Sequence, residues 1–270
     1  MFYLENAQIS DQMKNALSLA CMFLAGILLS TSSFAQSSAP YNPDGNGDGM
    51  IGVTDLQDFL STYGLAFEAT ASAWSCGEAI TYAGLGYSTV QIGNQCWFAE
   101  NLGTTTYLNG DAIPQNLSYG DWSSTTSGAM AFYQNDLTYQ VAYGGLYNWY
   151  AVDDARGLCP SGWHVPTDEE WTMLTDHLGG ESVAGGQMKT NYGWNGGGNG
   201  TNSSGFSGLP GGIRDFSAFF YLAGNEGYWW SSSPSWSSAW FRYLGSSESV
   251  SRSSFNHRVG CSVRCVRDAE

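Results

Sequence analysis

Apolar residues recur at helical spacing in two stretches of the chain. Leu56, Phe59, Leu60 and Tyr63 make one stripe, closed by Gly64, while Trp171, Leu174 and Leu178 share one face of the other. The second stretch also carries its own start and stop signals. Thr167 followed three residues later by Glu170 is a capping box, in which hydroxyl and carboxylate each satisfy an amide left unpaired at a helix start. Pro166 precedes the cap, Asp168, Glu169 and Glu170 fill the first turn where the helix dipole favours negative charge, and Gly179-Gly180 supplies the stop. These signals predict a buried helix, entered through the bulky run Trp163-His164-Val165. Elsewhere the period is two. Tyr87 to Ile92 alternates Tyr87, Thr89 and Gln91 against Ser88, Val90 and Ile92, and Gly93-Asn94 is a turn signal ahead of Gln95 to Phe98. Val259, Cys261, Val263 and Cys265 alternate in the same way near the C-terminus. Asn191 to Gly205, dominated by Gly and Asn, cannot be a regular element and reads as a long surface loop.

The N-terminal third has a different organisation. Lys14, the apolar run Ala16 to Leu29 and Ser33-Phe34-Ala35 follow the order of a secretory signal cut after Ala35, and Glu5 and Asp11 upstream are accounted for if synthesis starts at Met13. The apolar run is shorter than the roughly 20 residues that cross a bilayer, so cleavage rather than anchoring is expected, with no membrane span once residues 1–35 are removed. A linker over 36–41 leads to a loop in which Asp44, Asn46, Asp48 and Asp55 place side-chain oxygens, and Met50 a backbone carbonyl, at the spacing of an EF-hand-type calcium site with Gly49 at its sharp turn. Asp55 stands where Glu is usual, and residues 42–64 resemble one dockerin repeat. Dockerins carry two repeats and only one is found here, so the loop is weak ground for recruitment to a partner. Ca²⁺ is the one cofactor the sequence implies.

Composition narrows the partners. Aromatic residues make up 15% of the 270 positions and charged residues 12%, with 35 glycines, which suits short strands, many turns and large rings in the core. The formal charge of −15 reflects a shortage of lysine, since Lys14 and Lys189 are the only two, and it argues against nucleic acid. Arg242, Arg252, Arg258, Arg264 and Arg267 crowd the last 29 positions and are expected to be solvated strand positions or partners of nearby carboxylates. Cys21 leaves with the signal. In an exported chain the remaining Cys76, Cys96, Cys159, Cys261 and Cys265 are expected to be bonded rather than metal-binding. Four residues of extended strand separate the Cα atoms of Cys261 and Cys265 by about 13 Å, too far for a bridge between them.

Ordered motifs then carry a resemblance. Thr89-Val90-Gln91-Ile92-Gly93, Trp97-Phe98-Ala99-Glu100-Asn101-Leu102, the run Tyr143 to Val152, the run Cys159 to Thr167, Ser204-Gly205-Phe206, Leu209-Pro210-Gly211-Gly212, Tyr228 to Ser232 and Ser262 to Val266 resemble the Fibrobacter succinogenes major paralogous domain family, over roughly Cys76 to Asp268 after a linker at 65–75. The resemblance implies an α+β, loop-rich domain of small antiparallel sheets and few short helices, similar to C-type lectin-like domains and formylglycine-generating-enzyme relatives, with its termini close together in one sheet. It implies Cys159–Cys265 and Cys76–Cys96 bridges and a secreted or surface-attached bacterial protein; Cys261 is left over and reads as a buried thiol, with an intermolecular link as the alternative. The resemblance supplies no mechanism.

Candidate contact residues come from rings beside irregular chain. Trp194 lies in the glycine-rich loop, and Trp229 and Trp230 are adjacent, so on a strand they face opposite sides and one becomes a candidate exposed platform. Trp236, Trp240 and Tyr228 join that cluster, and His257 beside Arg258 is a further candidate to line a site. No histidine spacing suggests catalytic zinc, His164 reads as a hydrogen-bonded structural residue, and Asp153-Asp154 and Asp168 to Glu170 have turn or capping roles. The Glu-Pro-Asn, Gln-Pro-Asp and Trp-Asn-Asp motifs of calcium-dependent sugar binding are absent, Trp194-Asn195-Gly196 being only a partial echo. The expected function is that of an exported, non-catalytic protein that contacts polysaccharide or another surface macromolecule. A structural cell-surface component with a calcium-stabilised docking repeat is the alternative, and an enzyme related to formylglycine-generating proteins the third reading.

Overall fold

The two ends of the described chain meet in one small sheet. Strand β3 (Thr89–Ile92) turns through Gly93, whose φ of 64° suits glycine, into β4 (Gln95–Phe98), and the final strand, Val266–Asp268, adds to the free edge of β4 with Val266 opposite Trp97. A computed structural model describes residues 74–269. The signal segment and the calcium-loop residues Asp44, Asn46, Asp48, Met50 and Asp55 lie outside the described residues. Two bridges lock the sheet, Cys76–Cys96 onto β4 and Cys159–Cys265 just ahead of the last strand, and Cys261 is a buried free thiol.

Around this closure the chain builds small antiparallel ribbons: β1 (Ile80–Tyr82) with β2 (Leu85–Tyr87), β5 (Met130–Ala131) with β6 (Leu146–Tyr147), and β7 (Ile213–Arg214) with β8 (Phe220–Tyr221). A larger sheet of β9 (Gly227–Ser235), β10 (Ser238–Leu244) and β11 (Val250–Asn256) has β10 in the middle, and the strand 266–268 completes the set as β12. The described helices are short: α1 (Tyr119–Ser124), α2 (Tyr139–Tyr143), α3 (Trp149–Val152), α4 (Asp168–His177) and α5 (Ala184–Met188). The class is α+β.

Helix α4 is the one its capping signals predict. Thr167 accepts from the Glu170 amide and the Glu170 carboxylate accepts from the Thr167 amide, while Trp171, Leu174 and Leu178 are buried. The pairing of β9 with β10 shifts register between Ala239 and Phe241, and on β9 Ser232 N donates to Pro166 O while the Ser233 hydroxyl accepts from the Asp168 amide at the start of the helix. His164, as expected, is hydrogen-bonded, with Nε2 2.6 Å from the Glu170 carboxylate.

Residues 259–265 do not form a continuous strand. Gly260, Cys261 and Ser262 bridge to Arg214, Tyr147 and Trp229 in turn, although Val259, Cys261, Val263 and Cys265 do share one core, as their alternation suggests. The C-terminal arginines correct the expectation of solvated positions. Arg242 and Arg264 are buried, whereas the carboxylate partnership holds for Arg242 and Arg252, which both bond Asp168 at 2.7 Å.

Candidate binding face

Aromatic rings that no local pattern groups together collect on both sides of the β7–β8 ribbon. On α2, Tyr139 and Tyr143 are one turn apart and their rings lie parallel, 5.7 Å between centroids. Tyr133 meets Tyr139 edge-on at 5.5 Å and Phe220 at the same distance, so four rings form a continuous file from β8 to α2. Across the ribbon, Phe219 touches Tyr119 at 5.1 Å and Tyr221 at 6.3 Å, and all three are exposed. The file opens into a cleft of about 370 Å³ bounded by Val141, Tyr143, Tyr192, Leu209 and Glu100. Val141 is 89% and Tyr192 61% exposed, far more than residues with a packing role.

The backbone of these loops is held, not slack. Gln134, Asn135, Ala218 and Leu222 all have φ between 56° and 74°, a region costing about 1 kcal/mol or more for a residue with a Cβ. The Asp215 carboxylate fixes the turn by accepting from the amides of Ser217 and Phe219, both at 2.9 Å, and Leu222 O accepts from Asn225 and Glu226. At Gly212, φ is 67° and a Cβ would collide with the Tyr221 carbonyl, so the second glycine of Leu209-Pro210-Gly211-Gly212 lets β8 come close.

Below the cleft, Asn101 uses its whole side chain. Its Nδ2 donates to Tyr143 O (2.9 Å) and Ser262 Oγ (3.2 Å), and its Oδ1 accepts from Trp229 Nε1 and Arg264 Nε, each at 2.8 Å. Arg264 has no carboxylate among its hydrogen-bond partners and donates instead to the carbonyls of Phe98, Phe206 and Ser207. Burial lowers its pKa to about 9.

The tryptophans proposed as contacts are mostly inside. Trp194 is buried, its Nε1 donating to Thr190 Oγ1 and Gly208 O, so the glycine-rich loop folds over it. Trp229 and Trp230 do face opposite ways, yet neither is an exposed platform, because β9 has a hydrophobic core on each side. Trp230 belongs to the core with Tyr147 and Phe241, Trp229 to the core with Trp97, Trp171 and Phe206. Tyr228 is buried as well, and Trp240 is half-buried beneath the Arg252 guanidinium, 3.5 Å above its ring. His257 stacks on Trp149 at 4.5 Å, and its Nε2 is buried without a hydrogen-bond partner. Only Trp236 is fully exposed, at the tip of the β9–β10 hairpin with φ of 56°.

Among the described residues no three His, Cys, Asp or Glu side chains converge as a metal site. The Cys261 thiol is fully buried, and burial pushes its pKa well up, which holds it protonated and unreactive.

The Fibrobacter succinogenes major domain family profile matches residues 90–267, a span that holds the cleft, the Asn101 hub and all of the aromatic file. No curated protein and no solved structure matches the chain significantly. The matched span covers well over half of the chain, from within β3 to within β12, and on that ground the protein belongs to the Fibrobacter succinogenes major domain family.

Proposed function

We propose that this protein is an exported, non-catalytic binding protein that holds a polysaccharide in the tyrosine-rich cleft, on a C-type lectin-like frame. One observation carries the reading: Tyr133, Tyr139 and Tyr143 form a file of rings opening into a cleft whose exposed walls are Val141 and Tyr192. Flat rings with a polar tip present both an apolar face to the C–H face of a sugar and a hydroxyl to its oxygens. The strained turn after Tyr133 is hydrogen-bonded, Asn135 N donating to Phe132 O and Asp136 N to Tyr133 O, which holds that ring in place before a ligand arrives and lowers the entropic cost of binding.

The lectin-like assignment is supported by the shared sheet of β3, β4 and β12 and by the bridge from Cys159 to Cys265 across 106 positions. Export is supported by the two disulfides, which form in oxidising compartments, and by the signal-like residues Ala16 to Ala35. Among the described residues no helix is long and apolar enough to cross a membrane. Calcium is proposed at Asp44, Asn46, Asp48, Met50 and Asp55, serving stability or docking; titration calorimetry showing no heat at millimolar calcium would remove it.

Retention on a polysaccharide array tests the binding reading. Wild type is expected to be retained on at least one polymer, Tyr139→Ala with Tyr143→Ala to lose at least tenfold in affinity, and Trp194→Ala to fail by misfolding rather than by contact loss. Unchanged retention of a folded Tyr139→Ala/Tyr143→Ala variant would remove the cleft from the function. A second reading, a surface assembly component, is favoured by the exposed Leu137 and Val141, side chains that suit a protein partner better than a sugar.

A further inference from the structure

Resting on the polysaccharide reading, we infer that the ligand of the aromatic cleft is an uncharged polymer and that the site rejects polyanionic glycans such as uronates and sulfated chains. The argument comes from where the cations and carboxylates lie. A site that selects an acidic sugar presents an accessible guanidinium or ammonium, ideally in a geometry that grips the carboxylate with two hydrogen bonds. Two arginines approach this face, and both are turned inward. Arg264 borders the cleft, but it is 1% exposed and its guanidinium already serves Asn101 Oδ1 and the carbonyls of Phe98, Phe206 and Ser207. Arg214 lies under Phe220 and Trp122, donates to Leu117 O and Ala218 O, and its remaining nitrogen is shut off from solvent.

Other cations are engaged elsewhere. Lys189 is buried and donates to Gly245 O and Ser247 O, Arg156 is paired with Asp111 and Asp154, Arg242 and Arg252 with Asp168, and Arg258 donates to Thr125 O. Carboxylates, in contrast, are exposed on these segments. Glu100 lines the cleft, Asp136 lies between Tyr133 and Tyr139 in the chain, and Asp121 follows Tyr119 by two positions, all three exposed. With a formal chain charge of −15, the field at this face repels a polyanion before any contact is made. Hydroxyl-rich neutral sugars meet no such barrier, and the carboxylates can accept their hydrogen bonds.

The test is affinity of the full chain for a panel of uncharged polysaccharides (glucans, mannans, xylans, galactans) against anionic ones (pectate, alginate, carboxymethylcellulose), measured at low and at high salt. Binding to at least one uncharged polymer is expected to be unaffected by salt, and binding to the anionic set at least tenfold weaker at low salt, the gap narrowing as salt screens the repulsion. The double variant Glu100→Gln/Asp136→Asn removes both charges and leaves one acceptor oxygen on each side chain; it is expected to improve anionic binding severalfold and by more than it changes uncharged binding, whereas equal changes in both sets would count against the inference. Equal or tighter binding of an anionic polymer at low salt, lost at high salt, would overturn this inference and leave the polysaccharide reading standing. Retention on no polymer in either set would overturn both.

Discussion

Replacing Asn101 by leucine, a side chain of similar size without polar atoms, strips four hydrogen bonds from the floor of the cleft at once. Two matter most. Trp229 Nε1 and Arg264 Nε are each 2.8 Å from Asn101 Oδ1 and are fully buried, so neither can turn to water. A buried donor left without an acceptor costs about 1–3 kcal/mol, toward the upper end when the group is charged, and the donations to Tyr143 O and Ser262 Oγ add a smaller net loss. The sum is about 4 kcal/mol, which for a domain of this size lowers the melting temperature by about 10 °C. Asn101→Asp is the discriminating control, because it keeps the Oδ1 acceptor of Trp229 and Arg264 and adds a negative charge against Arg264 while losing the Nδ2 donation to Tyr143 O, so its loss is expected to be smaller than that of the leucine variant. Scanning calorimetry and urea titration read both. The reasoning fails if the leucine variant stays within about 1 kcal/mol of wild type, or if Asp is as damaging as Leu.

Four further outcomes follow from the same contacts. Cys159→Ser/Cys265→Ser opens a loop spanning 106 positions and is expected to cost about 4.8 kcal/mol by chain entropy, against about 3.3 kcal/mol for Cys76→Ser/Cys96→Ser, which spans 20; denaturant midpoints under non-reducing conditions check the order. Asp168→Ala leaves the buried Arg242 without its counter-charge and is expected to destabilise by about 3 kcal/mol, while Arg252→Ala, at the exposed end of the pair, costs less than 1 kcal/mol. The His164–Glu170 pair predicts a pH window. The Glu170 bond raises the His164 pKa above 6.5, so its contribution is complete below that value and is lost as pH rises through the raised pKa; the Glu170 pKa is lowered from 4.5 by His164 and the Thr167 bonds despite burial, so its contribution is complete above 4.5 and is lost on acidification below it. Melting temperature should therefore peak between pH 4.5 and 6.5 for this pair, and His164→Gln should flatten the alkaline side. Trp236→Gly relieves a left-handed backbone and exposes no new surface, so it is expected to raise the melting temperature by about 2–4 °C, measured by calorimetry.

What could be read from the chain and what could not divide by the range of the interaction. Helix α4 was legible because its capping box closes within three residues, and the β3–β4 hairpin because Gly93 and the alternation on either side are adjacent. Both bridges came from the family motifs rather than from spacing. The tryptophan pair misled for a specific reason: alternation on β9 shows that Trp229 and Trp230 face apart, but says nothing about whether each side is covered, and here both are. Burial of Arg242 and Arg264 was equally hidden, since their partners Asp168 and Asn101 lie 74 and 163 positions away. For the aromatic face the one local signal was the four-residue spacing of Tyr139 and Tyr143, in a helix too short to be noticed. Tyr133 and Phe220 meet only because Gly212 lets β8 approach.

The division between motif and face has a consequence for the family. Trp97, Asn101, Tyr147, Trp149, Trp229, Trp230 and Arg264 all lie in the stretches that carry the resemblance, and all are buried. Tyr119, Tyr133, Tyr139, Tyr192, Phe216, Phe219, Phe220, Tyr221 and Trp236 lie between those stretches and include the exposed rings, while half-buried Tyr143 of the file opens one of the stretches. A buried frame constrains its residues through packing and unpaired polar groups, whereas rings on intervening loops answer only to what they touch. On the binding reading proposed above, members sharing the frame can differ in ligand without differing in fold, and selectivity should travel with the segments 133–143 and 215–222. Exchanging these two segments between members that retain different polymers is expected to exchange their preference while each chimaera keeps its parent frame's cooperative melting; a chimaera that folds yet keeps the preference of its frame would place the contact surface elsewhere.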